Sequence, residues 1–257
     1  MVKFFPSIEP DHADFMLSQP LFFVASAPYV GRHVNLSPKG QPSRSFAILD
    51  SNTVAYVDTT GSGCETIAHV YENGRVTLMF CSFGVSPMIM RLFCQGRVVE
   101  KDDKGFQELV AKMGKGMCLI GARAVILLRV FKLQTSCGFG VPLFGESRDT
   151  TEEEKTLESL QGSQDRWTLH KWASSMEKKK ALLGYQRNSN YRSLDGLTGL
   201  RSARRARGQW MLLEEGRAWA SRVMKQWEAI LLGMLIAALM VVFLKTTGFL
   251  ALEAKLQ

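Results

Sequence analysis

An antiparallel β-barrel, closed or half-closed, with flanking helices and a helical C-terminal extension is the fold class that the sequence predicts. Three observations predict it. Six or seven short β-rich runs separated by turn residues fill the chain up to about residue 143, only two short amphipathic helices interrupt them, and the composition changes beyond Phe144. Closure suits such a chain because it removes sheet edges that would otherwise pair with other molecules.

A first helix is expected over Asp11 to Ser18, with Asp11 as its cap and Phe15 and Met16 facing inward. Leu21 to Ala27 is a continuous apolar run and Arg32 to Ser37 alternates, so both read as strands, whereas Ser37 to Ser43 (SPKGQPS) carries turn chemistry. Ser45 to Asp50 and Thr53 to Asp58 form a hairpin around Asp50, Ser51 and Asn52, with Val54 and Tyr56 sharing a face. After the glycine turn Thr59 to Gly63, a helix from Cys64 to Asn73 turns Ile67, Val70 and Tyr71 inward and stops at Gly74, with His69 in solvent. Strands over Arg75 to Phe83 and Met88 to Glu100, a helix over Phe106 to Met113 and a long strand over Ala122 to Gln134 complete the barrel.

Beyond it, Glu146 to Asp165 is acidic and polar, Trp167 to Leu183 is helical, Asn188 to Leu200 is irregular and Arg201 to Gln226 is helical again. Trp210, Trp219 and Trp227 follow one another at nine and eight residues, which offers either an aromatic stripe or simple packing. Ala229 to Leu244 then runs sixteen residues without charge or proline. Extended through Lys245 to Leu252 it is long enough to cross a bilayer, with Trp227 and Lys225 as interfacial anchors. A buried core helix and an interfacial helix are the alternatives. The domain division expected is therefore a barrel over residues 1–200, a basic helical connector over 201–228 and an anchor over 229–252.

A chain of 257 residues with 46% hydrophobic and 22% charged residues buries a proper core, which excludes a disordered tail or a disulfide miniprotein. Cys64, Cys81, Cys94, Cys118 and Cys137 are odd in number and lack metal-ligand spacing, as reduced thiols facing the cytosol would. The net charge of +8 is concentrated: fourteen Lys or Arg against four acidic residues lie between Arg166 and Lys225. Next to an apolar run, such a basic flank points to a membrane surface rather than to nucleic acid, and it holds the barrel on the cytosolic side.

No GxSxG, HExxH or Walker motif is present, and His12, His33, His69 and His170 are scattered, so neither a hydrolase nor a metal site is expected and no catalytic side chain is nominated. What remains are polar and glycine motifs at strand ends: Arg32 to Gly40 (RHVNLSPKG), Tyr56 to Thr66 (YVDTTGSGCET), Arg91, Ser136 to Pro142 (SCGFGVP) and Ser193 to Leu200 (SLDGLTGL). Hydroxyls, glycine-turn amides and a helix start at Ser62, Gly63 and Thr66 together make an anion cradle, although glycines can also serve only a tight turn and Thr66 only a cap.

In that order, these motifs resemble the FMN-binding split barrel of the pyridoxamine 5'-phosphate oxidase superfamily, and more closely its fungal and bacterial pyridoxamine 5'-phosphate oxidase family branch, over roughly Met1 to Leu200. The resemblance implies FMN as cofactor, a flavin-dependent oxidoreductase acting on a small-molecule redox substrate, and a homodimer with two cofactors at its interface. It implies flavin contacts from the strand Arg32 to Ser37, including Asn35, and from Tyr56 and Val57. The phosphate-binding pair falls on Glu65 and Thr66, a contact to the flavin ring on Arg91, and a later polar pair on Ser136 and Cys137. Glu65 departs from the family, because it places negative charge where the oxidases proper carry positive charge. Phosphate binding then falls to Lys39, Arg32, Arg91, Ser37 and the backbone amides of the Thr60 to Gly63 turn. A membrane-tethered protein that kept the fold without catalysis is the alternative.

Overall fold

The computed structural model describes residues 2–117, 120–144, 163–164, 166–224 and 226–256. The chain divides into two compact units, Met1–Leu169 and His170–Gln257.

The first unit is built on one curled antiparallel sheet. Its strands are β1 (Lys3–Phe5), β2 (Leu21–Ser26), β3 (Asn35–Gly40), β4 (Phe46–Asp50), β5 (Thr53–Thr59), β6 (Arg75–Cys81), β7 (Met88–Glu100) and β8 (Ala122–Cys137). They lie in the order β3-β2-β6-β7-β8-β5-β4, with β1 paired to the far end of β8 at Lys3↔Thr135. Every pairing is antiparallel, as the sequence predicts. Strand alternation sends Phe22, Val24, Val54, Tyr56, Leu78, Phe80, Met90 and Leu92 into one core. The rings of Phe22, Phe46, Phe80 and Tyr56 pack there, with Phe22 centred 5.5 Å from Phe46, 5.3 Å from Phe80 and 5.8 Å from Tyr56.

The opposite face of β5 and β8 is covered by helix α4 (Phe106–Met113), whose Phe106, Leu109 and Met113 join Ala55, Val57 and Val125 in a second core. Helix α1 (Pro10–Leu17) starts at a reciprocal capping box between Glu9 and His12, so the cap is Glu9 and not Asp11. Its Met16 is buried, while Phe15 packs partly buried against the same core.

Further local readings are corrected by the structure. The strand expected over Arg32 to Ser37 runs from Asn35 to Gly40, and the SPKG segment that reads as a turn is its body, followed by the short helix α2 (Pro42–Ser45). Pro38 is tolerated because β3 ends the sheet and needs a ladder on one side only. Helix α3 (Glu65–Asn73) turns Tyr71 outward to bond Glu100 at 2.6 Å, and buries His69 instead. It ends at Gly74 in the left-handed region (φ 68°), whose carbonyl accepts from the Gly96 amide at 2.6 Å. A β-carbon on Gly96 would crowd Leu128 and Val70, so the glycine lets α3 settle on β7.

β9 (Leu143–Phe144) pairs with β10 (Ser163–Gln164) in a small second sheet. The acidic segment expected between Glu146 and Asp165 falls almost entirely outside the described residues.

The second unit is helical. α5 (Thr168–Lys178) begins at the boundary and is followed by α6 (Leu182–Ser189), with Trp172 packed edge-on to Tyr185 at 5.2 Å. SLDGLTGL forms a small loop closed by an Arg192↔Thr198 bridge. The single helix expected over Arg201 to Gln226 is two, α7 (Arg201–Ala206) and α8 (Met211–Met224), interrupted around Gly208. Trp210 therefore precedes α8, Trp219 lies inside it and Trp227 opens α9 (Trp227–Leu256), so the three form no single stripe. A step of nine residues also turns about 180° away on a helix of 3.6 residues per turn. In α9, Trp227–Lys245 is a stretch of 19 residues with mean hydropathy 2.4, none of it buried. At 1.5 Å per residue this is about 28 Å, close to the thickness of a hydrocarbon layer.

Candidate functional site

β5 places Val54, Tyr56 and Asp58 successively on the core face, because alternate residues point the same way. Asp58 is 2% exposed, and a carboxylate buried so deeply requires partners. It has two. Arg123 of β8 donates from Nε to Oδ2 at 2.7 Å, and Lys39 of β3 donates from Nζ to Oδ1 at 3.3 Å. One negative charge between two positive ones leaves the cluster with an excess of +1. The Lys39 and Arg123 side chains are 26% and 29% exposed, so both keep unused donors toward solvent. The Lys39 ammonium also stands 5.9 Å above the Tyr56 ring.

The Tyr56 hydroxyl is buried and meets no hydrogen-bond partner among the described residues. Burial pushes its phenol far above the ordinary range, the charge of Asp58 adds to this, and the nearby Thr66 hydroxyl acts the other way without meeting hydrogen-bond geometry. Around it runs a polar chain linking β3, β2 and α3. Asn35 donates from Nδ2 to Thr66 Oγ1 at 2.9 Å and more weakly to Ser26 Oγ at 3.4 Å, Ser37 donates to Asn35 Oδ1 at 3.0 Å, and Ser26 Oγ lies 2.9 Å from His69 Nδ1. Buried polar atoms demand such partners, and this is why His69 faces inward.

At the start of α3, Ser62 is exposed and Gly63 is half-buried. The amides of Gly61, Ser62, Gly63 and Cys64 donate to no group among the described residues, and the orphan amides of a helix start favour an anion. The exposed Glu65 folds its carboxylate back against Gly63, where a β-carbon would collide with it. The negative charge singled out in the sequence thus stands at the helix start itself.

The nominated residues fall into three groups. Asn35, Ser37, Lys39, Tyr56, Ser62, Gly63, Glu65 and Thr66 gather around β3 and the α3 start. Arg91 donates to Ser136 at 3.4 Å on the opposite face of the sheet, because its neighbours Met90 and Leu92 take the core face. The remaining three stand apart: Arg32 is exposed in a bend before β3, the Val57 side chain is buried in the second core, and Cys137 is exposed at the end of β8. Asp58, Arg123 and Ser26 were not nominated. Asp58 was within reach of sequence reasoning, since it continues the inward alternation of Val54 and Tyr56 and a carboxylate there calls for a cation.

A curled antiparallel sheet split beside its edge strand, with a polar cradle on the glycine turn, defines the split-barrel class. The chain belongs to the pyridoxamine 5'-phosphate oxidase family, whose sequence profile, described as pyridoxamine 5'-phosphate oxidase, matches residues 8–137. The pyridoxamine 5'-phosphate oxidase family protein ustO of Aspergillus flavus is 48% identical over 249 residues, spanning 97% of this chain and 98% of its own. Among solved structures, Group A Streptococcus HupZ is 20% identical with a TM-score of 0.38, covering 50% of this chain and 99% of that one. The FAD binding protein of Mycobacterium smegmatis is 13% identical with a TM-score of 0.35, covering 51% and 97%.

Proposed function

We propose that this chain is an FMN-binding, flavin-dependent oxidoreductase of the split-barrel family, tethered to a membrane by α9. The observation that carries the reading is the buried, unpartnered Tyr56 hydroxyl, set beside a charge cluster with cationic donors to spare and a helix start with free amides. These groups fit a phosphorylated flavin. Lys39, Arg123, Ser37, Thr66 and the Gly61 to Cys64 amides would hold the phosphate, and Tyr56 would offer a hydroxyl beside them. The bound flavin would supply the redox chemistry, which is why the chain needs no catalytic triad. Arg91 and Ser136 occupy the other sheet face, so they would reach a flavin only from a second copy, in keeping with a homodimer.

Glu65 favours the second reading, a membrane-anchored protein that keeps the barrel without a cofactor. Visible flavin absorbance in the purified protein, with the cofactor identified by mass spectrometry, supports the first reading; a colourless protein that takes up no added FMN supports the second. Glu65→Gln removes the opposing charge and is expected to tighten FMN binding while leaving riboflavin, which has no phosphate, nearly unchanged. Equal effects on the two ligands in a calorimetric titration would place Glu65 away from the phosphate.

The anchor reading rests on the unburied 19-residue stretch of α9, flanked on its N-terminal side by Arg217, Arg222 and Lys225, which would keep the barrel in the cytosol. The full-length protein is expected to stay in the membrane pellet after carbonate extraction, and release into the supernatant would overturn the anchor.

A further inference from the structure

α8 is amphipathic, and its apolar side is uncovered. With 100° between successive residues, Leu212, Leu213, Gly216, Trp219, Ala220, Val223 and Met224 fall within an arc of about 140°, while Glu214, Glu215, Arg217 and Ser221 take the other side. Glu214 and Arg217 pair there at 2.8 Å. On the apolar side Leu212 is 85% exposed, Leu213 58%, Trp219 61% and Met224 68%, with Trp210 just before the helix at 76%. A globular unit in water rarely leaves so continuous an apolar surface open. The helix also stops short of α9: the Gln226 amide bonds back to Val223 at 2.9 Å, and the Ile230 amide bonds to Gln226 at 3.1 Å. α8 and α9 are thus separate helices, with a turn at Gln226 before the second.

We infer that α8 lies in the membrane interface, its apolar side against the acyl chains and its charged side among the headgroups, an assignment that rests on α9 being the anchor. Three features commit this side to lipid. It is continuous in sequence with the apolar stretch of α9, it carries a tryptophan of the kind enriched at headgroup depth, and, while α8 itself balances two acidic against two basic residues, it is flanked by the basic stretch Arg201 to Arg207 and by Lys225, which complement anionic lipid.

The test uses the full chain in vesicles of phosphatidylcholine and phosphatidylserine, with Leu213→Cys, Glu215→Cys, Ser221→Cys and Met224→Cys made one at a time. Modification by a water-soluble maleimide is followed at each introduced cysteine by peptide mass spectrometry, so the native cysteines do not interfere. Leu213→Cys and Met224→Cys are expected to react several-fold more slowly than Glu215→Cys and Ser221→Cys. Equal reaction on both sides overturns the inference, and so does a Leu213→Cys disulfide between copies, which would assign the apolar side to a second chain. Carbonate extraction of the same vesicles separates the two readings: release marks failure of the anchor, whereas retention with equal reaction marks failure of the α8 assignment alone.

Discussion

Lys39→Ala is expected to weaken FMN binding by at least about tenfold, the consequence of losing one charge-assisted contact worth about 1.5 to 3 kcal/mol. Riboflavin should lose far less, because only FMN carries the phosphate that the ammonium would meet. Lys39 also satisfies Asp58, so the variant leaves Arg123 as the sole partner of a buried carboxylate. Lys39→Arg, which keeps a cation on β3, controls for that loss and should recover most of the FMN affinity. Arg91→Ala is expected to weaken both flavins alike, since on the proposed reading it reaches the ring from a second copy. Titration of the two flavins into each variant decides the matter, and an unchanged FMN affinity in Lys39→Ala removes this residue from the site.

Phe22→Ala is expected to cost about 3 to 5 kcal/mol of stability, the range for truncating a fully buried aromatic side chain. Phe22 has no exposed surface and touches the rings of Phe46, Tyr56 and Phe80, so little nearby can collapse into the space it leaves. It also pairs with Lys39 across the β2–β3 ladder, which links the aromatic core to the charged cluster. Phe131→Ala, on an exposed position of β8, should change stability by less than about 0.5 kcal/mol. Urea unfolding of the two detergent-solubilised proteins checks the contrast, and equal midpoints would show that Phe22 is not the keystone of the cluster.

Much of the barrel was legible because its signals are local. Apolar runs marked β2, β6 and β7, the Asp50 to Asn52 turn fixed the hairpin of β4 and β5, and α4 stands where its apolar spacing puts it, over Phe106–Met113. The failures share a physical cause, the influence of residues distant in sequence. Pro38 and Gly40 are turn formers by composition, yet pairing with β2 draws them into an edge strand. His69 reads as solvated from its own helix, but Ser26, 43 residues earlier, holds it inside. The site was read in part. The residues around β3 and the α3 start converge, whereas Arg123, 65 residues from Asp58 in the chain, carries no local mark of the ion pair it makes.

The attachment of β3 has a dynamic consequence. Among the described strands its backbone ladder runs to β2 alone, the Ser45 hydroxyl adds one bond to the Gly40 carbonyl at its end, and across the open side of the barrel it is held by side chains, Lys39 to Asp58 and Asn35 to Thr66. The half of the cradle that carries Asn35, Ser37 and Lys39 therefore lies on an edge of the sheet, and its amides should exchange hydrogen for deuterium sooner than those of the inner strands β7 or β8. A ligand that bridges β3 and α3 would fasten that edge and draw its stability from the attached form only. Slower exchange across Leu36 to Gly40 on adding ligand would then report occupancy directly, because binding and edge closure would be a single equilibrium.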